Sequence, residues 1–297
     1  MSRLFIAVQY LLPHQAFSRL VAWFMGRRLY KNLLIRFFIR RYGVDLSEAE
    51  YSQPEDYADF NAFFTRRLKI GARPLAEDKQ RIISPVDGAI SQLGRIVQDQ
   101  IFQAKGHHYS SHALLAGSAE QAARYDNGQF ATIYLAPRDY HRIHMPLSGS
   151  LRRMRYVPGR LFSVNPITAA SVPGLFARNE RLVCEFDTEL GSMAVILVGA
   201  MIVAGIETVW SGPVCPGPRA GKLFEKDYGS GEASVHLQRG EELGLFKTGS
   251  TVILLFESQR LQFESHWQAE SMIRMGQSLA SRLAEQTPNK HGPDQGY

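Results

Sequence analysis

The sequence predicts an α+β protein, and three observations carry that expectation. The first 43 residues mix Leu, Phe, Ile and Trp with an arginine or lysine every few positions. From about Arg81 the texture changes to short apolar runs separated by Gly, Pro and Asn. Two of the strand-like runs open directly behind a Pro-x-x-Gly turn. The chain has 297 residues, 45% hydrophobic and 21% charged, which is the composition of a globular protein long enough for a large core. The expected division is a basic helical region over 1–70 and a mainly β domain over 71–297.

The basic charge sits almost entirely at the N-terminus. Arg3, Arg19, Arg27, Arg28, Lys31, Arg36, Arg40 and Arg41 precede the first acid, Asp45, so this stretch carries +8 of a net +6 and the remainder is −2. No uncharged run reaches the ~18 to 20 residues of a spanning helix. The longest, Leu4 to Ser18, is interrupted by Pro13, His14 and Gln15. No small-residue cleavage site follows a single apolar core, which disfavours a secretory signal. Short amphipathic helices with basic faces are expected instead, suited to the headgroup layer of an anionic membrane. A helical cap packed on the core and an Arg-rich transit peptide are the alternatives. The segment is too apolar for a groove-binding arm, so no nucleic-acid partner is expected. Cys184 and Cys215 lack zinc spacing and are too few for a disulfide framework, which fits thiols in a reducing compartment.

Along the chain, "SQPEDYADFNAFFTRRL" (52–68) predicts one helix. Ser52 and Glu55 form its capping box, and Tyr57, Phe60, Phe64 and Leu68 its apolar stripe. "SPVDGAISQLGRI" (84–96) and "MPLSGSLRRMRYV" (145–157) each read as a turn feeding a strand, with Pro setting φ and Gly accepting a positive φ. "SSHALLAGSAEQAARY" (110–125) reads as one helix. Strands are expected at 130–136, 181–186, 193–206 and 251–256; Gly199 and Gly205 argue against a membrane span in the third. Repeated turn-strand units occur in barrel-sandwich carrier domains, but those present a lysine at a hairpin tip and none is evident here. A polar tail, frayed, is expected after Glu285.

Four clusters could carry chemistry: Asp87 in "PVDG", "RDYHRIHMP" (138–146), "GRLFSVNP" (159–166) and "TGST" (248–251). His141 and His144 are three apart in a segment that looks extended, so their rings should point to opposite faces, and no Cys or carboxylate stands nearby at ligand spacing. No metal is expected. At least one of the two should do proton chemistry or bind an anion; a single satisfied hydrogen bond is the alternative for His141. Ser250 lacks a G-x-S-x-G elbow, which disfavours an α/β-hydrolase. A nucleophilic serine still needs a base and an orienting carboxylate, and His144 and Asp87 are the candidates. Residue types alone admit this trio without establishing it.

"SPVDGAISQLG", "AKGHHYS", "PRDYHRIHMP", "LFSVN", "LFARNERLVCEFDTELG", "GIETVW" and "FKTGSTVILLF" together resemble phosphatidylserine decarboxylase of the bacterial, membrane-associated type. The resemblance runs from the basic N-terminus to about Ala284. One departure is Thr248 where the family's processing motif usually has Leu, which should alter the rate of processing at most.

The resemblance implies a proenzyme that cuts itself between Gly249 and Ser250, leaving a β chain 1–249 and an α chain 250–297. It implies that His144, oriented by Asp87, takes the Ser250 proton, that the oxygen attacks the Gly249 carbonyl, and that elimination and hydrolysis leave a pyruvoyl group. Thr251 would assist by hydrogen bonding. The implied cofactor is this covalent pyruvate, forming a Schiff base with phosphatidylserine, with neither metal nor pyridoxal phosphate. His144 would then protonate Cα, His141 would contact the substrate phosphate or carboxylate, and Ser163 and Asn165 would line the pocket. The implied setting is a peripheral protein on the cytoplasmic face of the bacterial inner membrane; the implied assembly is a homodimer. Two other classes stand beside it: an uncut membrane-bound serine hydrolase using the same trio, and a non-enzymatic lipid-binding or carrier module.

Overall fold

The computed structural model describes residues 29–283, except 201–204, 216–220, 230–233, 248–249 and 258–259, together with residues 6, 9, 10, 21, 25 and 27. The expected frayed tail and most of the N-terminal basic stretch lie outside the described residues.

Its centre is a nine-stranded antiparallel sheet. In spatial order the path runs Phe224–Asp227, Gly149–Val157, Arg181–Thr188, Gly191–Val198, Ser250–Phe256, Gln129–Leu135, Gly88–Arg95 and Met272–Ile273, with His236–Leu237 also paired to Gly149–Val157. Ser250–Phe256 lies in the middle, registered on both sides: Thr251 opposite Val198 and Ser250 opposite Leu135. All seven of its residues are buried, as expected of an unbroken apolar run with two covered faces. Alternation divides them. Val252, Leu254 and Phe256 enter one core with Ile133 and Leu135, whereas Ile253 and Leu255 enter the other with Phe130 and Val198. Each such side chain contributes about 1.5–3 kcal/mol by leaving water.

A four-stranded sheet, Gly212–Cys215, Ile206–Thr208, Glu242–Phe246 and Arg142–His144, adjoins this one, and smaller three- and two-stranded sheets complete the β region. No sheet among the described residues closes on itself, so the turn-strand units build open sheets rather than a barrel. Expected strands form at Gln129–Leu135, Arg181–Thr188 and Ser250–Phe256, whereas the strand expected over 193–206 ends at Val198 and a separate strand starts at Ile206.

Three local expectations need correction. Residues 52–68 are not one helix: a 3-10 turn at Pro54–Asp56 is followed by extended Tyr57, and a new helix, Phe60–Phe64, starts at Asp59, whose side chain accepts from Ala62 N. Asp59 is the better cap because its carboxylate meets an otherwise orphaned amide. Residues 110–125 form two helices, Ser111–Leu115 and Ala119–Ala123, split where Ala116 turns left-handed (φ 51°) and Ser118 opens a capping box with Gln121. Finally, Gly88 and Gly149 do feed strands, but neither has the expected positive φ. They are small for space: a Cβ on Gly88 would lie 2.4 Å from Tyr134 O, and one on Gly149 3.0 Å from Asp187 O.

The helical region has its own small core. Ile35 of the Lys31–Tyr42 helix joins Val44, Tyr57, Phe60, Phe63 and Phe64, with Phe38 edge-on to Phe60 at 5.1 Å. This region is tied to the β domain at one corner, where Arg142 Nε donates to Thr65 O (2.9 Å) and the Phe64 ring lies 4.1 Å from His141.

Candidate active site

Two strand transitions run side by side at that corner. Leu135 pairs with Ser250 in the large sheet, and His141 O accepts from Phe246 N (3.0 Å) as the smaller sheet begins. Residues 136–140 run from Leu135 to His141 and residues 247–249 from Phe246 to Ser250, so Ser250 and His141 flank one junction. Only three residues separate Phe246 from Ser250, a contour of roughly 15 Å between their Cα atoms. Thr248 and Gly249 fall outside the described residues, and with them the peptide expected to be cut.

Ser250 and Thr251 are fully buried, and neither hydroxyl has a hydrogen-bond partner among the described residues. A buried polar atom left unpaired costs about 1–3 kcal/mol, so an unpaired serine at the mouth of an apolar strand asks for a reason other than stability. By alternation Ser250 lies on the same side of the sheet as Val252 and Leu254, and Thr251 on the opposite side with Ile253 and Leu255.

The two histidines share one electronic state. His141 is completely buried; its Nδ1 lies 2.8 Å from Asp139 O, and its Nε2 has no partner among the described residues. Burial pushes its pKa down to about 3. His144 Nδ1 lies 2.8 Å from Gly240 O and its Nε2 3.0 Å from the Tyr140 hydroxyl, and burial lowers its pKa as well. A carbonyl only accepts, so each Nδ1 carries the proton and each Nε2 presents a lone pair. The predicted separation of the rings is seen: His141 shares the buried face with Ile143 and Met145, while Arg142 and His144 are partly open.

Asp87 makes no hydrogen bond to His144 among the described residues, where the trio implied by resemblance has it orient that ring. Its carboxylate accepts from Arg73 Nε (2.9 Å), Arg73 Nη2 (2.5 Å) and Met275 N (2.8 Å). Arg73 also reaches Glu48 at 2.8 Å. Burial works against the Arg73 charge, but the two carboxylates outweigh it and raise its pKa. With those contacts filled, Asp87 acts on His144 only through space, favouring its charged form, and the tautomer is fixed by the Gly240 carbonyl. The two Pro-Gly turns do meet: Ile83 N donates to Pro146 O (3.1 Å) and His144 N to Pro85 O (2.9 Å).

The "LFSVN" segment contributes differently than expected. Asn165 caps the Pro166–Ala169 helix, its Oδ1 accepting from Thr168 N at 2.9 Å. Ser163 is held through its backbone by Gln9 Oε1 at 2.8 Å, and its hydroxyl accepts from Asn165 N at 3.5 Å. It is Val164, Pro166 and Ile167 that line a largely apolar cleft of about 760 Å³, facing Ala89, Ile90, Tyr134 and Met272. A charged cavity of about 300 Å³ adjoins it, lined by Arg66, Arg73, Asp87 and Tyr140 among others. Arg138, Asp139 and Met272 border both. Arg66, Arg73, Tyr140 and Gly240 were not singled out from the sequence; only Tyr140, inside "RDYHRIHMP", stood in a segment already marked. Among the described residues no group of three or more His, Cys, Asp or Glu is placed to hold a metal ion.

Comparison with known proteins identifies the family. Residues 60–281 match the family model described as phosphatidylserine decarboxylase, and residues 4–43 match a second model described as PSD. The chain is 58% identical over 280 residues to the phosphatidylserine decarboxylase proenzyme of Pseudomonas aeruginosa (strain LESB58), covering 94% of this chain and 96% of the relative. Proenzymes of the same description from Shewanella loihica (54% over 284 residues; 94% of this chain, 99% of the relative) and Stutzerimonas stutzeri (55% over 279 residues; 93% and 94%) are similar throughout. The chain therefore belongs to the phosphatidylserine decarboxylase family.

Proposed function

We propose that this chain is a self-processing proenzyme that converts phosphatidylserine to phosphatidylethanolamine through a pyruvoyl group made from its own Ser250. Family membership carries the decarboxylation; the observation that carries the cofactor is the Ser250 hydroxyl, fully buried at the start of the central strand and without a partner among the described residues. A nucleophile sealed from solvent does not suit hydrolysis of outside substrates. The carbonyl it can reach is that of the residue before it, Gly249, which has no side chain to obstruct the approach.

His144 is in the state a base requires, with Nδ1–H fixed on Gly240 O and the Nε2 lone pair available once the Tyr140 hydroxyl turns aside. It takes the Ser250 proton as Oγ bonds to the Gly249 carbonyl carbon. The Gly249–Ser250 C–N bond then breaks and the nitrogen regains a proton, leaving an ester and a free amine. Loss of the Ser250 α-proton expels Gly249 as a carboxylate and leaves dehydroalanine, and water replaces its nitrogen as ammonia. The resulting ketone, conjugated to an amide, supplies the electron sink that departure of CO2 demands.

The buried groups around that position suit the second stage. His141 Nε2 presents a lone pair, which an anion would repel, so contact with phosphate or carboxylate is not its role. We assign it instead to accept a hydrogen bond from the substrate ammonium, while His144 returns a proton to Cα after CO2 leaves. Thr251 lies next to the reacting position with an unpaired hydroxyl, and the apolar cleft takes the glycerol and acyl portion.

The approach to the lipid is part of the same proposal. On the Lys31–Tyr42 helix and the turn before it, Leu29, Tyr30, Leu33 and Phe37 are exposed, in company with Arg36, Arg40 and Arg41. No helix among the described residues is long and apolar enough to cross a membrane. A peripheral position on the cytoplasmic face of an anionic inner membrane fits an apolar, basic surface of this kind. The homodimer implied by resemblance is tested by sedimentation. For the cofactor, wild-type protein should run as two bands and Ser250→Ala as one. Labelling of Ser250 by a fluorophosphonate in an uncut, active chain would overturn the proposal in favour of a hydrolase.

A further inference from the structure

We propose that Arg66 receives the phosphodiester anion of the substrate in the smaller cavity. The inference rests on phosphatidylserine being the substrate and adds the residue that holds its headgroup.

Arg66 follows the Phe60–Phe64 helix and is 5% exposed, yet it forms no ion pair among the described residues. Nη2 donates to two backbone carbonyls, Arg138 O at 2.8 Å and Asp139 O at 3.2 Å. Nε and Nη1 are buried without an acceptor among the described residues, which leaves three of its five N–H groups unmatched there. Guanidinium stays charged at neutral pH even when burial works against it. The carboxylates nearby are otherwise engaged: Asp87 by Arg73 and Met275 N, Glu48 by Arg73 and Arg274, and Asp139 by Ala136 N. A fixed cation with unmatched donors, bordering a cavity, suits an anion that arrives from outside.

The substrate offers a carboxylate and a phosphodiester, and energetics choose between them. The carboxylate loses its charge as CO2 departs, so a cation on it would stabilise the ground state more than the transition state. The phosphodiester keeps its charge throughout, and holding it orients the headgroup without that penalty. The placement agrees, because the cavity shares Arg138 and Met272 with the apolar cleft, in the order headgroup then lipid.

The test compares wild type, Arg66→Lys and Arg66→Gln, with self-cleavage as the fold control, since Arg66 belongs to no step of cleavage. For Arg66→Gln, KM for phosphatidylserine in mixed micelles should rise roughly 10- to 100-fold with kcat little changed, and Arg66→Lys should fall between the two. Glycerophosphoethanolamine should inhibit wild type more strongly than ethanolamine, and the difference should vanish in Arg66→Gln. An unchanged KM, or a loss confined to kcat, would overturn the assignment. Inhibition by inorganic phosphate as strong as that by the diester would overturn the lipid headgroup as the ligand. If Arg66→Gln fails to cleave itself, the wild-type comparison decides: equal inhibition by the diester and by ethanolamine overturns the site. A wild type that is uncut or inactive on phosphatidylserine would instead overturn the function, independently of Arg66.

Discussion

Replacing His141 tests the electronic state on which both reaction stages depend. Its pKa falls from 6.5 to about 3 on folding because burial disfavours the charged ring. Between those values the unfolded chain binds a proton that the folded chain refuses, so stability is full above about pH 6.5 and declines as pH falls toward 3. Each pH unit in that window is worth ~1.4 kcal/mol, so acidification from pH 6.5 to about pH 5 should cost ~2 kcal/mol through this residue alone. Chemical denaturation in a Ser250→Ala background keeps the chain in one covalent form. Adding His141→Gln should lower stability at neutral pH but flatten its fall with acid by that amount. His144 shifts in the same direction but is present in both chains, so its contribution cancels. Parallel acid profiles for the two chains would refute a neutral His141.

Other outcomes follow from the same contacts. Arg73→Gln leaves Asp87 buried without its ion pair and should destabilise the protein by about 3–5 kcal/mol, read by denaturant unfolding; a change below 1 kcal/mol would mean the pair is effectively solvated. His144→Ala should leave the chain whole, while Tyr140→Phe, which frees Nε2, should cleave at least as fast as wild type on a denaturing gel; an uncut Tyr140→Phe would make that hydroxyl part of the machinery. Leu33→Glu with Phe37→Glu should reduce binding to phosphatidylglycerol-containing vesicles by 10-fold or more, at ~1.5–3 kcal/mol per lost side chain, and added salt should weaken wild-type binding. Vesicle binding unaffected by either change would remove this helix from the membrane contact.

The sequence displayed what is local. The apolar run 251–256 and its neighbours were legible because two covered faces require uninterrupted apolar residues, and Ser250, His141, His144 and Asp87 stood in compact motifs. What it hid is set by contacts between distant segments. Asp87 looked like the partner of His144 because nothing in "GARPL" announces that Arg73 clamps it, and Gly240, which holds the His144 tautomer, lies 96 residues away. Arg66 sits in a run of basic residues that resembles a solvated surface, and its burial comes from the Arg138 and Asp139 carbonyls more than 70 residues on. The turn glycines were recognised for the wrong reason: close approach of Tyr134 O and Asp187 O is a property of neighbouring strands. The break before Phe60 followed from a choice between two caps, and composition alone does not rank them.

Self-conversion of Ser250 is tested most directly by the intact mass of the purified, active protein under denaturing conditions. Two chains parting after Gly249 are expected, with the chain from position 250 onward lighter by one ammonia than a fragment beginning with free serine. An active protein of undivided mass, or a short chain that retains its amino terminus, would contradict it.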